Sequence, residues 1–457
     1  MTTTSPRASE NPYLAGNFAP VHDEITATDL PVTGHLPIEL SGRYVRNGPN
    51  PSEGPEPKLY HWFTGDGMIH GIRISGGRAA WYRNRWVRSA KVAKTLGEAP
   101  KGGPVHSGMD FAPNTNVIGH AGRTLAIVEA GALPYELSYE LDTVGPYNFG
   151  GTLPGGYTAH PKRDPLTGEL HAVSYFWGWG NKVQYSVAGT DGRIRKTVDI
   201  EVGGPVSVHD ISLTSKYAVI YDLPVIFSMD AVAAGAQFPY VWDPSYHSRL
   251  GLLPREGTAA DIRWFDVEPC YVFHPLNAYD DGDDVVLDVI RHPRMFDTHK
   301  LGPDEGPPAL ERWTVQTGSG KVREERLDDR GQEFPRIDER LVGRRHRFGY
   351  TAGFLSGEVS LMKHDFTSGS SQTRILRGAG GFAEPVFVPR HADAAEDDGW
   401  VLSLVYDAGN DTSDLLVLAA GDFTGEPVAT VHLPQRVPFG FHGNWIPDED
   451  PQESQKP

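Results

Sequence analysis

Four histidines stand in similar surroundings in this chain: YTAHPKRD (His160), VSVHDIS (His209), YVFHPLN (His274) and FGFHGNW (His442). Each lies at the start of, or within, a stretch with strand character, among small or apolar residues. Each is followed at once by a tight feature: Pro161, Asp210, Pro275 or Gly443. One histidine in such a place is ordinarily a core residue bonded to a carbonyl, because buried polar groups find a partner cheaply. Neutral imidazole is also a ligand for transition metals, and an apolar wall holds such a ligand in place. The spacings of 49, 65 and 168 residues are too wide for one helix or one hairpin. They suit ligands delivered from separate structural units to a common axis.

The elements that would deliver them are short strands. RTLAIVEA, LHAVSYFWGW, YAVIYDLPVIF, DVVLDVIRH, WVLSLVYD and DLLVLAA are of strand length and rich in β-branched and aromatic residues. Turn signals separate them, among them DPLTGEL, GTDGRI, DDGDD and EDDGW. The expected class is all-β: a sandwich, a barrel or a propeller, with the length of 457 residues favouring the propeller. No clean blade period is visible. Residues 227–255 are apolar, interrupted by glycine and unlike a strand, and read as a loop or short helix covering something. A single domain over 12–447 is expected, with residues 1–11 and 448–457 as flexible termini.

Composition narrows the partners. With 42 Lys and Arg against 59 Asp and Glu the net charge is −17, so the surface repels phosphate backbones and nucleic acid is excluded as a partner. No protein partner is implied. The one cysteine, Cys270, permits no internal disulfide and reads as a small core residue, which suits a reducing compartment. No basic segment followed by an apolar run opens the chain, and no run approaches the ~18 apolar residues of a membrane span. A cytoplasmic protein is expected.

The ordered set of motifs GRYVRNGPNP, HWFTGDGMIHGIRI, NTNVIGHAGRTLAIVEAGALPYEL, TAHPKRDPLTGELHAVSY, VHDISLT, FHPLNAYDDG, EFPRID, AEPVFVPR, EDDGWVLSLVYD and RVPFGFHGNW resembles the carotenoid cleavage oxygenases over residues 12 to 447. That family holds carotenoid-, apocarotenoid- and stilbene-cleaving enzymes. The resemblance implies a seven-bladed β-propeller with loops and short helices as a lid over one face. It implies a non-haem Fe(II) held by His160, His209, His274 and His442. It also pairs Glu129 with His209, Glu333 with His274 and Glu384 with His442. Four neutral ligands leave the ion its full charge, and carboxylates behind the imidazoles offset that charge and fix the rings. Glu129 and Glu384 read as residues of apolar strands. Thr115, in NTN, matches a threonine whose methyl crowds one open position of the metal. His61, His70 and His171 match no ligand motif, and His120 and His364 read as peripheral.

The implied reaction is cleavage of a carbon–carbon double bond of a carotenoid or apocarotenoid by O2, giving two carbonyl products. Stilbene-cleaving members grip the phenol with a lysine and a tyrosine. Here the lysine position is Val128 and the tyrosine position is read as Trp86, neither of which can anchor a phenolate. Trp86, Val128, Phe273 and rings of 227–242 are expected tunnel walls. The apolar lid, through Phe227, Ala231, Val232, Ala233 and Ala234, is a candidate for peripheral membrane contact. Two other readings stand beside this one: a dioxygenase for stilbene or lignin-derived alkenes, and a propeller that binds a ligand without catalysis.

Overall fold

The computed structural model describes residues 11–355, 358–376 and 379–448. Among these, seven antiparallel sheets of four to six strands follow one another along the chain, and an extra two-stranded hairpin lies outside them. They are the blades of a seven-bladed β-propeller. In the blade built on Pro275–Asp281, Asp284–Arg291, Ala309–Gln316 and Lys321–Asp328, each strand pairs with the next in order. The second strand, DVVLDVIR, is buried at every position but its ends, because neighbouring blades cover both faces. The fourth, KVREERLD, is largely exposed; its charged side chains guard the open sheet edge at the rim. In this blade the strands thus grade from apolar inside to charged at the rim.

Two of the seven sheets are completed by distant pieces of chain. Gly443–Pro447 pairs with Gly42–Pro49 at the edge of the first blade. Val32–Gly34 pairs with Ala429–His432 at the edge of the last. The ring is therefore closed twice, by strands offered in opposite directions. Residues 1–10 and 449–457 of the expected flexible termini lie outside the described residues. Asn11 does not fit that expectation: it is buried, with its amide donating to Pro57 O and Tyr60 O at 2.8 Å each. Asp448 accepts from Tyr139 Oη at 2.6 Å.

Of the expected covering segment 227–255 only the first part is a cover, and it is a hairpin; Arg249–Pro254, read as unlike a strand, is an inner blade strand between Tyr217–Asp222 and Arg263–Asp266, its apolar run LGLL buried between neighbouring blades. Val225–Phe227 pairs with Tyr240–Trp242, and a short helix, Met229–Ala233, caps its tip, with Ser228 Oγ accepting from Ala231 N at 3.2 Å. Met229 is 67% exposed and Val232 41%. Among the described residues no helix is long and apolar enough to cross a membrane.

Candidate metal centre

Each of the four histidines directly precedes, or stands within two or three residues of, the edge strand of its blade. His160 leads into Lys162–Arg163, His209 into Ser212–Leu213, His274 into Pro275–Asp281 and His442 into Gly443–Pro447. These edges converge. One ligating nitrogen from each ring falls in a group whose atoms all lie within 4.8 Å of one another, and all four residues are buried. Local packing explains the FGFHGNW motif. A Cβ on Gly440 would meet Gly48 Cα at 2.8 Å, so only glycine lets the two backbones pass. There Phe441 N donates to Asn47 O and Asn47 N to His442 O, each at 3.0 Å, which fixes the imidazole's backbone.

The remaining three blades contribute carboxylates. Glu129 follows Arg123–Ile127, Glu333 lies in Gln332–Arg336, and Glu384 sits in the break between Ala379–Phe382 and Val386–Pro389. Glu129 and Glu384 are thus not strand residues, contrary to expectation; they stand at strand breaks, where the backbone can turn a side chain toward the axis. Ala130 (φ 62°) and Phe334 (φ 54°), immediately after Glu129 and Glu333, are left-handed without being glycine. Such residues cost about 1–3 kcal/mol each and persist where the surroundings over-determine them.

The pairings read from the sequence are present. His209 Nδ1 lies 3.0 Å from Glu129 Oε1, His274 Nδ1 2.6 Å from Glu333 Oε2, and His442 Nδ1 3.0 Å from Glu384 Oε1. A carboxylate facing Nδ1 places the proton there and leaves Nε2 as a lone pair. His209 Nε2 and His274 Nε2 then face each other at 3.3 Å as two acceptors, and His160 Nε2 is buried with no hydrogen-bond partner. Burial and the three neighbouring imidazoles hold the His160 pKa well below its ordinary value, so its lone pair stays free. Burial, only partly offset by Glu333, lowers that of His274 to about 4. For His209, burial is outweighed by the charge and hydrogen bond of Glu129, and the pKa is raised.

Two groups that the sequence reading passed over complete the shell. His292 Nε2 lies 2.8 Å from Glu333 Oε1, so one carboxylate holds two imidazoles. Arg336 Nη1 lies 3.1 Å from Glu384 Oε2, which also accepts from Gly443 N at 2.8 Å. Burial raises the Glu384 pKa, but Arg336 and His442 override it and hold the acid at about 2. His292 had a signal: DVVLDVIRH follows FHPLNAYDDG as the second arm of a hairpin, which returns the chain beside His274, and Ile290 N donates to His274 O at 3.1 Å. Near His160, Asp210 is paired with Lys162 at 2.7 Å and its nearest oxygen is 3.8 Å from His160 Nδ1.

Two cavities meet at the four histidines. One, of about 890 Å³, lies under the lid hairpin and is walled by rings, including Trp62, Phe63, Phe238, Phe273 and Phe441. Val128 and Thr115 line it as expected, and Phe273 packs edge-on against His209 at 5.0 Å between centroids. Thr115 Oγ1 donates to Asn114 at 2.9 Å, and its carbonyl accepts from His442 N at 3.1 Å. No lysine or arginine lines this cavity among the described residues. The other cavity, of about 1110 Å³, is polar, lined by Arg43, Arg123, Lys162 and Arg163 among others, and reaches His160, His274 and His442 from behind.

Trp86 is a correction. It ends the strand Arg78–Trp86, is 4% exposed, and packs in the core of its blade beside Met68 and Val87. Its indole N–H donates to Asn50 O at 2.7 Å. Strand register turns the ring into the blade, and it does not line the cavity. His120 and His364 are likewise not peripheral: both are buried, bonded to Gly189 O and Gln332 Oε1 respectively, each at 2.9 Å.

A ring of seven blades that gathers four histidines on its axis beneath an apolar cavity defines a narrow class of oxygenase propeller. The profile of the retinal pigment epithelial membrane protein family matches residues 18–447. The carotenoid cleavage oxygenase of Mycobacterium tuberculosis (strain ATCC 25618 / H37Rv) is 50% identical over 505 aligned positions, covering 98% of this chain and all of that protein. Among solved structures, the lignostilbene dioxygenase of Pseudomonas brassicacearum superposes with a TM-score of 0.87 at 28% identity, over 97% of this chain and 100% of that one. A single-residue mutant of the apocarotenoid oxygenase of Synechocystis gives 0.84 at 26% identity, over 94% of this chain and 97% of that one. The chain belongs to the carotenoid cleavage oxygenase family, and it is an oxygenase.

Proposed function

We propose that this protein binds Fe(II) through His160, His209, His274 and His442 and uses O2 to cleave a double bond of a carotenoid or apocarotenoid. The observation that carries the reading is the set of convergent Nε2 lone pairs: acceptors facing acceptors in a buried space call for a cation. Charge balance favours a divalent one. Glu129, Glu333 and Glu384 with Arg336 leave two negative charges around four neutral rings. An all-imidazole donor set suits iron among the metals that bind O2.

Bound iron would supply the one-electron chemistry that lets O2 react with a closed-shell alkene. The alkene C=C and the O–O bonds break, two C=O bonds form, and no proton is needed. The protein's part is therefore placement. The aromatic walls exclude water and align an extended apolar chain past the four histidines. Thr115, its hydroxyl committed to Asn114, offers its methyl as a spacer beside His442. Phe273, against His209, limits how closely the substrate approaches on that side.

The polyene is favoured over a phenolic stilbene because a phenolate in the apolar cavity would meet no lysine or arginine in its wall and would face Glu129. The lid supports delivery from a lipid phase. Met229 and Val232 project from its tip, and Trp177, 45% exposed, stacks on Phe227 at 5.2 Å. A surface with net charge −17 would enter a neutral bilayer in preference to an anionic one.

The test is to incubate iron-loaded protein in air with a β-apocarotenal in detergent and to identify products by mass. Two shorter carbonyl fragments are expected. Intact apocarotenal, with cleavage of a hydroxystilbene under the same conditions, would replace the polyene reading by the stilbene one; a protein that takes up no iron would leave only the ligand-binding propeller.

A further inference from the structure

Three tyrosines stand close enough to Glu129 for its charge to raise their pKa values: Tyr175, Tyr240 and Tyr271. Two of them are satisfied. Ser207 Oγ lies 3.2 Å from Tyr175 Oη and 3.0 Å from Tyr271 Oη, and Tyr271 Oη donates to Ser207 O at 3.1 Å. Tyr240 differs. It is 4% exposed, it lines the apolar cavity, and its hydroxyl has no hydrogen-bond partner.

The residue comes from the lid hairpin, directly across from Phe227. Phe238 packs against it at 5.2 Å between centroids and Tyr175 meets it edge-on at 5.7 Å. A phenylalanine would fill this place in the wall, as Phe227 and Phe238 do beside it, without an orphaned polar atom. A buried hydroxyl is costly unless something bonds it, and a ligand in the cavity is the available partner. Burial, with the Glu129 charge added, pushes the phenol pKa up, so the group stays a neutral donor. The acceptor must be neutral as well. An anionic oxygen beside Tyr240 would lie near Glu129 with no lysine or arginine in the cavity wall.

We propose that Tyr240 is a specificity-determining residue, donating a hydrogen bond from the lid to a neutral oxygen, hydroxyl or carbonyl, carried by the substrate. This rests on the polyene reading of the cavity. Because the donor sits on the lid, the contact also holds the hairpin down over an oxygenated substrate.

The test compares wild type with Tyr240→Phe, both iron-loaded, on two polyenes of equal length, one ending in an aldehyde and one a plain hydrocarbon. Dissociation constants are read from quenching of tryptophan fluorescence, a signal that does not depend on turnover. For the aldehyde the constant should rise about tenfold in the variant, the loss of one hydrogen bond, while the hydrocarbon changes less than twofold. An equal change for both, as a purely structural hydroxyl or one bridged by water to Glu129 would give, overturns the proposal; so does no change. Should Tyr240→Phe misfold, Tyr240→Met removes the same hydroxyl from an apolar wall and is held to the same comparison. Wild-type protein that binds the aldehyde without cleaving it sinks the proposed reaction alone, and the Tyr240 assignment is still decided by the ratio of constants. Wild-type protein that binds neither polyene overturns both.

Discussion

Glu333 Oε2 lies 2.6 Å from His274 Nδ1, and the same carboxylate's other oxygen reaches His292. The Glu333 acid is held well below the usual carboxylate range, because His274 and His292 together outweigh the cost of its burial. Replacing it with glutamine keeps the shape and removes the charge. Glu333→Gln should lose about 10–100-fold in iron affinity, with activity falling in step at limiting iron. Iron retained per chain after dialysis against a weak chelator checks this; retention equal to wild type would mean that the carboxylate does not tune the site.

His160 has no carboxylate within hydrogen-bond distance of Nδ1, Asp210 standing 3.8 Å away, and its Nε2 has no hydrogen-bond partner, so its contribution to a metal site should be visible in stability. Iron at 100 times its dissociation constant should stabilise the wild-type fold by ~2.7 kcal/mol. His160→Ala should gain far less from the same addition. Thermal unfolding with and without Fe(II) measures the difference, and an equal gain in both proteins would remove His160 from the ligand set.

Trp86 should matter for folding and not for substrate choice. Trp86→Phe removes the bond to Asn50 O and some core volume, a loss of about 1–3 kcal/mol. Denaturant unfolding reads the loss. The ratio of polyene to hydroxystilbene cleavage should be unchanged, and a shifted ratio would return Trp86 to the substrate path.

Asp288 is fully buried and bound by Arg312 at 2.7 and 2.8 Å, with His346 Nε2 at 3.2 Å. Burial raises its pKa, but Arg312 and His346 override this and hold it below the ordinary 3.8. A depressed folded pKa contributes stability above the unfolded value, and that stability is lost as pH falls through the folded value. Asp288→Asn should therefore cost on the order of 3 kcal/mol near neutrality and flatten the acid limb of the stability curve below about pH 4. Urea midpoints between neutral and acid pH provide the measurement.

The lid tip gives a prediction about surfaces. Met229→Asp combined with Val232→Asp should abolish sedimentation with neutral phosphatidylcholine vesicles while leaving cleavage of detergent-dispersed substrate within twofold. Loss of both together would place these residues in the fold instead.

Much of this architecture was legible in the residues. The four histidines stood out because each stands at the start of, or within, a strand-like stretch and carries a chain-turning neighbour, a pattern that one core histidine would not repeat. The blade count was not legible from periodicity. Blades differ in loop length, and two are assembled from segments some 400 residues apart, which no local repeat can reveal. Trp86 was misplaced because position along the chain does not tell which way a strand faces; the hydrogen-bonded register with Met68 does. His292 went unnoticed because a ligand's support need not lie near it in sequence, only across a hairpin. The lone hydroxyl of Tyr240 was beyond reach, since a missing partner has no sequence signature.

The double closure of the ring has a consequence for when the protein becomes itself. His442 stands immediately before the strand that seals the first blade, 168 residues after the last of the other three rings has been made. On the ribosome, a nascent chain holding His160, His209 and His274 has neither the fourth nitrogen nor a sealed ring. The fourth nitrogen therefore joins the other three only with the strand that closes the ring.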